Sequence, residues 1–264
     1  MAAIGRFQRG EEIFYAKAVD GELFRLKGDV FGSPSFEKKA TPAKGLKLLT
    51  PVAPSKVIAV GLNYADHVKE LAKELTQTTK DEPLVFLKTP GSLIGHRGAT
   101  RRPPDASFMH YECELAVVIG QRCKDVPQES ALDMIAGYSV LNDVSARRVQ
   151  KADREKQHPW TRCKNLDTFT PMGPWFVPAR YVSDPQALRI ACRVNGEPRQ
   201  GATTAEMIHP VAKQIAVMSK WMTLEPGDVI ATGTPEGVGP VKNGDLMIAE
   251  VEKVGRMEVR VRNA

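Results

Sequence analysis

The chain has 264 residues, of which 42% are hydrophobic and 26% are charged, and its formal net charge at pH 7 is +6. These values are typical of a globular protein and exclude a fibrous or disordered chain. The first residues lack the apolar core of a signal peptide, and no apolar run approaches the roughly 20 residues that span a bilayer. We therefore expect a cytoplasmic protein with one large domain, or with a large domain and a small appendage.

The excess of positive charge raises the question of an anionic partner. Basic residues cluster at 97–102 and 146–156, and no aromatic residues are interleaved among them. A nucleic-acid-binding protein is one alternative, but such proteins usually carry a longer basic stripe or a recognisable module. The composition therefore favours a small anionic substrate over nucleic acid.

The chain has four cysteines, Cys113, Cys123, Cys163 and Cys192. They show neither close pairing nor zinc-finger spacing, so we predict free thiols in a reducing compartment. Cys113 lies between two glutamates of a predicted strand and should point to the opposite face. That position predicts a core residue rather than a metal ligand.

The first 50 residues contain two short β-like segments, at 11–19 and 22–28. They are followed by a proline-bearing stretch at 41–56, which reads as a connection. We predict a small N-terminal β unit over 1–50 and a main domain over 51–264. The main domain opens with an apolar strand at 56–62.

A polar segment rich in helix formers follows at 63–75, and then a stretch without apolar residues except proline at 76–83. We predict a helix followed by a mobile loop that covers a site. In this helix His67 and Glu70 stand three positions apart and can touch, which would orient the imidazole. The alternative is an ordinary surface pair, which is common on helices.

Most of the remaining elements are strands separated by Gly and Pro. We predict strands at 83–88, 113–120, 136–143, 187–196, 227–233 and 246–262. We predict a short helix at 127–136 and a long one at 203–222, where Thr203 and Glu206 match a capping box. Apolar residues recur along the long helix as a core stripe: Met207, Val211, Ile215, Met218 and Met222. The balance predicts a β-rich α+β fold.

Three carboxylates stand at strand ends. Glu112 and Glu114 are two positions apart, so a strand places both on one face, and Asp143 ends the strand at 136–143. Oxygen ligands without a Cys or His pair suit a hard cation, which favours Mg²⁺ or Mn²⁺ over Zn²⁺. The alternative is a solvated edge strand.

The segment 231–241, ATGTPEGVGPV, forms a tight loop directly after an apolar strand. Exposed backbone N–H groups in such a loop could hold a carboxylate. The loop lacks the Gly-Lys-Ser/Thr of a phosphate loop, and a simple turn is the alternative.

Taken together and in order, seven segments resemble the fumarylacetoacetate hydrolase family, over 56–259. They are VGLNYADHVKE, PLVFLK, HYECELAVVIG, AGYSVLNDVSAR, KNLDTFTPMGPW, VNGEPRQ and TGTPEGVGPV. The length and the short N-terminal unit resemble the bacterial dioate isomerase/decarboxylase and acylpyruvate hydrolase branches. The resemblance implies a fumarylacetoacetate hydrolase C-terminal-like mixed β-sheet/roll domain, usually in a homodimer.

The resemblance also implies the residues of the site. One Mg²⁺ or Mn²⁺ would be held by Glu112, Glu114 and Asp143. The catalytic residues would be His67, Glu70 and Lys164, and the substrate-binding residues Arg147, Gln150, Gly233 and Thr234. The chain departs from the family pattern at Arg148, Asn165 and Leu166, positions that the resemblance relates to the far end of the substrate.

The implied activity is hydrolysis of a carbon–carbon bond in an acylpyruvate or another β-diketo acid, through a metal-bound pyruvate enolate, as in the catabolism of aromatic compounds. The alternative is decarboxylation or isomerisation of a hexene or heptadiene dioate or of oxaloacetate, because these reactions pass through the same enolate. A third alternative is the basic, non-enzymatic nucleic-acid-binding protein.

Overall fold

The computed structural model describes residues 3–32, 34–71 and 81–264. The predicted loop at 76–83 and the end of the predicted helix at 63–75 lie largely outside these residues. None of the helices in the described ranges is long and apolar enough to span a membrane.

Strands dominate the chain, as predicted. In chain order they are β1 (Ala3–Arg9), β2 (Glu12–Val19), β3 (Glu22–Lys27), β4 (Ser35–Phe36), β5 (Lys47–Leu48), β6 (Val57–Gly61), β7 (Leu84–Lys88), β8 (Leu93–Ile94), β9 (Ala99–Arg102), β10 (Met109–His110), β11 (Cys113–Ile119), β12 (Ile135–Asn142), β13 (Ser145–Ala146), β14 (Thr170–Pro178), β15 (Arg189–Val194), β16 (Glu197–Thr203), β17 (Val229–Ala231), β18 (Pro240–Val241), β19 (Leu246–Val251) and β20 (Gly255–Asn263).

The helices are short. They are α1 (Ala65–Leu71), α2 (Arg147–Glu155), α3 (Thr161–Lys164) and α4 (Val211–Trp221). Single 3₁₀ segments lie at Pro90–Ser92, Pro104–Ala106, Gln128–Met134, Ala179–Tyr181 and Thr204–Glu206. This balance confirms the predicted β-rich α+β class.

Three sheets organise the described part of the chain. The largest runs in the order β4-β3-β2-β1-β14-β12-β11-β17-β6-β7, with β5 beside β1 and β8 beside β14. A second runs β16-β15-β19-β20-β9, and a small third one runs β13-β10-β18. The sheets are mixed, because β17 pairs with β6, β14 with β8 and β20 with β9 in parallel.

The N-terminal strands join the rest of the large sheet where β1 pairs antiparallel with β14, with Ile4 opposite Phe176. Phe7, Ala16 and Leu23 form a small apolar cluster of their own within this N-terminal part. The division at residue 50 stays a prediction.

The centre of the large sheet positions the acids. Every residue of β11 is buried, which explains its nearly continuous apolar sequence. Strand β11 is antiparallel to β12, with Cys113 opposite Asn142 and Glu114 opposite Leu141. All four cysteines are buried free thiols, and Cys113 is a core residue, as predicted.

The predicted helix at 203–222 is wrong over its first half. Thr203 ends β16, and its Oγ1 accepts a hydrogen bond from the Ala205 N–H, which caps only a 3₁₀ turn. Helix α4 begins after Pro210. A proline disfavours the helical conformation of the residue before it but suits a helix start, so Pro210 sets the boundary.

The stripe of apolar residues nevertheless packs into the core, with Met222 partly buried at its end. The predicted helix at 127–136 is also wrong in type and length. The structure has a 3₁₀ helix at Gln128–Met134, and β12 already starts at Ile135.

Candidate metal centre

The structure brings the three predicted acids together. Glu112 directly precedes β11, Glu114 lies within it, and Asp143 directly follows β12. The Asp143 N–H donates to the Glu112 carbonyl at 2.8 Å, so the antiparallel register places Asp143 opposite Glu112. One carboxylate oxygen from each acid lies within 4.8 Å of the others, and all three side chains are buried.

Basic side chains surround two of these acids. Lys164 Nζ donates to Glu112 Oε2 at 2.7 Å and to Asp143 Oδ2 at 2.6 Å. Arg147 Nη2 and Ser145 Oγ donate to Glu112 Oε1 at 2.6 and 2.8 Å. Burial opposes ionisation of Glu112, but Lys164 and Arg147 hold its pKa well below the ordinary value. Burial likewise acts to lower the pKa of Lys164, but Asp143 and Glu112 raise it above the ordinary value.

Glu114 has a different environment. Its Oε2 accepts a hydrogen bond from the Gly233 N–H at 2.8 Å. Burial first, and then the negative charges of Asp143 and Glu112, raise the pKa of Glu114 well above its ordinary value. The crowding of like charges is therefore strongest at Glu114.

A second lysine, which the sequence did not predict, also contacts one of the acids. Lys88, at the end of β7, is 1% exposed, and its Nζ lies 2.6 Å from Asp143 Oδ1. It also donates to the carbonyl oxygen of Lys164. Burial lowers the pKa of Lys88, and Asp143 opposes this. The sequence contains one sign of this role, a lysine at the end of an apolar strand. A lysine that is fully buried there needs a charged partner.

The predicted pair on α1 is formed. His67 Nδ1 lies 3.0 Å from Glu70 Oε2, and the His67 side chain is 5% exposed. Partial burial acts to raise the pKa of Glu70, but the hydrogen bond from His67 holds it below the ordinary value. An ionised carboxylate only accepts, so Nδ1 carries the proton that the pair shares, and Nε2 is the ring nitrogen that faces away from Glu70.

The glycine-rich loop at 231–241 holds carboxylates of the protein itself. The Gly233 N–H binds Glu114, and the Gly237 N–H donates to Glu70 Oε1 at 3.2 Å. Gly233 has φ +96°, and a Cβ there would lie 2.6 Å from the Asn63 Cβ. Only glycine allows this approach. One loop therefore contacts both the acid cluster and the His67–Glu70 pair.

The three acids, Lys164, Arg147 and His67 line one cleft. Arg147 opens α2, and its Nη1 donates to Gln150 Oε1 one turn later at 2.9 Å. Apolar and aromatic groups from β6, α1 and the start of α3 complete the wall. The cleft is lined by Val60, Gly61, Leu62, His67, Leu71, Glu112, Glu114, Asp143, Arg147, Gln150, Trp160, Lys164 and Thr234.

The three departures from the family pattern lie around this cleft rather than in its lining. The Arg148 guanidinium lies 5.9 Å from the Phe108 ring centre, and Leu166 packs against the core. Asn165 bridges β7 and α3: its amide donates to the carbonyl oxygens of Leu87 and Thr161.

The acid cluster fits a divalent cation. It offers oxygen donors only, which suit Mg²⁺ or Mn²⁺. Like charges crowd around Glu114, and a cation between the three carboxylates would relieve that repulsion. Glu112, Glu114 and Asp143 are therefore the residues that could hold a metal ion.

Residues 56–262 match the family described as Fumarylacetoacetate (FAA) hydrolase C-terminal. The match spans well over half of the chain, so the chain belongs to the fumarylacetoacetate hydrolase family. This confirms the resemblance inferred from the seven sequence segments.

Curated relatives extend the match. A protein of Mycobacterium tuberculosis is 41% identical over 262 residues, which cover 96% of each chain. A 4-hydroxyphenylacetate degradation bifunctional isomerase/decarboxylase of Escherichia coli is 43% identical over 225 residues. That alignment covers 85% of this chain and 51% of the E. coli protein.

Solved structures share the fold. A 5-carboxymethyl-2-hydroxymuconate delta-isomerase from Mycobacterium smegmatis superposes with a TM-score of 0.87 and 38% identity, covering 99% of this chain and 100% of the other. A fumarylpyruvate hydrolase from Pseudomonas aeruginosa, in complex with Mn²⁺ and pyruvate, superposes with a TM-score of 0.73 and 31% identity. That match covers 86% of this chain and 93% of the other.

Proposed function

We propose that the protein is a metal-dependent enzyme that cleaves a carbon–carbon bond in a small 2-oxo acid, chiefly by hydrolysis of an acylpyruvate or another β-diketo acid. The observation that carries this proposal is His67, hydrogen-bonded to Glu70, in the same cleft as the three carboxylates and Lys164. A candidate base thus stands beside a candidate cation site. The P. aeruginosa structure contains Mn²⁺ and pyruvate, which supports the proposal that this protein binds Mn²⁺ or Mg²⁺ and acts on the same class of substrate.

His67 would act as the base. Its Nε2 takes a proton from a water molecule, while Glu70 holds the ring through Nδ1. The water oxygen bonds to the distal carbonyl carbon of the substrate, and the bond from that carbon to the pyruvate unit breaks. The proton then passes to the pyruvate C3, so the products are a carboxylate and pyruvate.

The other residues of the cleft would bind the substrate. A bound Mg²⁺ or Mn²⁺ supplies a Lewis acid that polarises a 2-oxo acid. Lys164 and Arg147 add positive charge next to that position, which favours an anion as negative charge develops. Gln150 and Thr234 line the cleft and would orient the polar groups of the substrate, whereas Gly233 would act through its N–H on Glu114.

A second candidate is decarboxylation or isomerisation of a 2-oxo dioate or of oxaloacetate. The names of the E. coli and M. smegmatis proteins support it. Neither reaction requires attack by water, so the same acids and Lys164 would suffice.

The test is an assay of the purified protein, with and without Mn²⁺ or Mg²⁺, on an acylpyruvate, oxaloacetate and a hydroxy-dienedioate. We expect metal-dependent turnover, fastest with the acylpyruvate. Faster turnover of oxaloacetate or the dienedioate would favour the second candidate. Absence of turnover, together with nucleic-acid affinity that falls steeply with salt, would favour the basic binding protein.

We also propose a homodimer in the cytoplasm, on the basis of the family resemblance and the sequence. Size-exclusion chromatography with light scattering tests the dimer, because a single species of about 29.0 kDa, the mass of one chain, would contradict it. Fractionation of cells tests the location.

A further inference from the structure

Gln200 lies between the glycine-rich loop and strand β11, which we call the acid strand because it contains Glu114 and follows Glu112. It belongs to β16 and is 4% exposed. Its Oε1 accepts from the Cys113 N–H at 3.0 Å. Its Nε2 donates to Thr234 Oγ1 and to the Pro235 carbonyl, both at 2.8 Å. The amide therefore uses both of its ends on backbone or loop groups of the site.

The orientation of this amide has one solution. A backbone N–H only donates and a backbone carbonyl only accepts, so Cys113 N–H fixes Oε1 and the Pro235 carbonyl fixes Nε2. Thr234 Oγ1 accepts a hydrogen bond from Nε2 and donates its own hydroxyl proton to the Cys113 carbonyl at 2.9 Å. Gln200 and Thr234 thus satisfy both backbone groups of the residue between Glu112 and Glu114.

These side chains replace the backbone hydrogen bonds that a longer strand would make to β11. Strand β17 pairs with β11 at 116–118 and ends at Ala231. Beyond that point Thr232 still bonds the Leu115 carbonyl, and Thr234 with Gln200 bonds Cys113. The loop therefore stays against the acid strand as far as Pro235, although the backbone ladder has ended.

We propose that Gln200 is a positioning residue for the metal ligand Glu114. It clamps the segment 233–235 to the acid strand, and that clamp holds the Gly233 N–H at the Glu114 carboxylate. Gln200 acts through the loop and does not touch the ion. The inference rests on the proposed function, because it concerns the same metal centre.

The experiment is titration of the metal-free protein with Mn²⁺ by calorimetry. Gln200→Met keeps the length of the side chain but cannot donate to the Pro235 carbonyl, and we expect Mn²⁺ to bind about tenfold more weakly. In the Glu114→Gln background, the same change should weaken binding less than twofold further, because the residue that Gln200 positions is already neutralised. Equal losses in both backgrounds would overturn the proposal.

The matched control is Gln214→Met. Gln214 is also a buried glutamine and lies on helix α4. Its Nε2 donates to the His209 carbonyl at 2.8 Å. We expect this variant to lose thermal stability as Gln200→Met does, but to keep its Mn²⁺ affinity. Unchanged Mn²⁺ affinity in Gln200→Met would refute the inference alone, whereas an unaltered protein that binds no Mn²⁺ would refute the proposed function.

Discussion

Glu114 differs from the other two acids in how its charge is balanced. Glu112 and Asp143 share Lys164, and each has a further cation of its own, Arg147 or Lys88. Among the described residues, Glu114 has the Gly233 N–H as its hydrogen-bond donor. A buried carboxylate without a cation is costly. Glu114 is therefore the acid whose ionised form a bound metal ion would stabilise most.

Glu114→Gln should weaken Mn²⁺ or Mg²⁺ binding by well over tenfold. The variant amide keeps an acceptor for the Gly233 N–H but removes one negative charge from the cluster. For the same reason, the free energy of unfolding of the metal-free protein should stay equal or rise. Calorimetric titration and urea unfolding measure the two effects. An unchanged titration would remove Glu114 from the site.

His67→Ala should lower acylpyruvate hydrolysis by about 100-fold or more, the usual contribution of a general base. Decarboxylation of oxaloacetate needs no activated water and should largely remain. Glu70→Gln should have a smaller effect, because its amide oxygen can still accept from Nδ1. Kinetics of the three proteins on both substrates measure this. Equal loss of both activities would argue against water activation by His67.

At the scale of elements, the two buried lysines lie at the ends of two elements that hydrogen bonds from Asn165 join. Lys88 ends β7 and Lys164 ends α3, and Asn165 joins these elements from the outside. Its Oδ1 accepts from the Thr89 N–H at 2.5 Å, and its Nδ2 donates to Leu87 and Thr161. The residue that departs from the family pattern is thus a structural link.

Asn165→Ala should therefore lower the free energy of unfolding by about 2 kcal/mol, since three hydrogen bonds are lost at a half-buried site. Mn²⁺ affinity should change less than threefold, because the lysine contacts to Asp143 are separate and buried. Asn165→Asp keeps the bond from Thr89 and should lie between the two. Urea unfolding and calorimetry measure these quantities. A large loss of Mn²⁺ affinity would show that the link also supports the metal centre.

His96 connects the segment between β8 and β9 to β20. Its Nδ1 accepts from the Glu258 N–H at 3.1 Å, which requires an unprotonated nitrogen. Burial first, then Arg97, lowers the pKa of His96 below its ordinary 6.5, with Glu258 opposing and Arg256 assisting. His96 therefore binds a proton at higher pH in the unfolded chain than in the folded chain. Its contribution to the free energy of unfolding is full well above pH 6.5 and is lost as the pH falls below it.

Urea unfolding between pH 7.5 and about pH 5 measures this decline. His110, whose pKa burial lowers to about 4, contributes in the same direction, so His96→Gln should reduce the slope rather than remove it. A slope that is identical in His96→Gln would assign the pH dependence to other groups.

The sequence predicted those features that depend on local period. Alternation placed Glu112 and Glu114 on one face, and helical spacing brought His67 to Glu70. It did not predict Lys88 or Gln200, because their roles depend on which strands become neighbours, and pairing of β16 or β7 with the rest is a long-range event. The predicted long helix was wrong for a local reason, because its apolar stripe continues across Pro210 whereas helix α4 begins only after that proline.

At the scale of the whole molecule, the candidate metal centre is built from parts of the chain that are far apart in sequence. Its residues come from the large sheet, from the segments beside the small sheet, and from helices α1, α2 and α3. Lys88 and Asp143 are 55 positions apart by their residue numbers, and Gly233 reaches Glu114 from 119 positions away. A ligand that binds there contacts elements that the unfolded chain keeps far apart.

Mn²⁺ should therefore stabilise the entire fold. A ligand that binds only the folded state at 100 times its Kd adds about 2.7 kcal/mol to the free energy of unfolding. For a chain of this size we expect Tm to rise by about 5 to 10 °C. Differential scanning calorimetry with EDTA and with Mn²⁺ measures the shift, and Glu114→Gln at the same Mn²⁺ concentration is the control. An equal shift in that variant would place the stabilising ion on other acids of the surface, since the change at Glu114 would not have affected it.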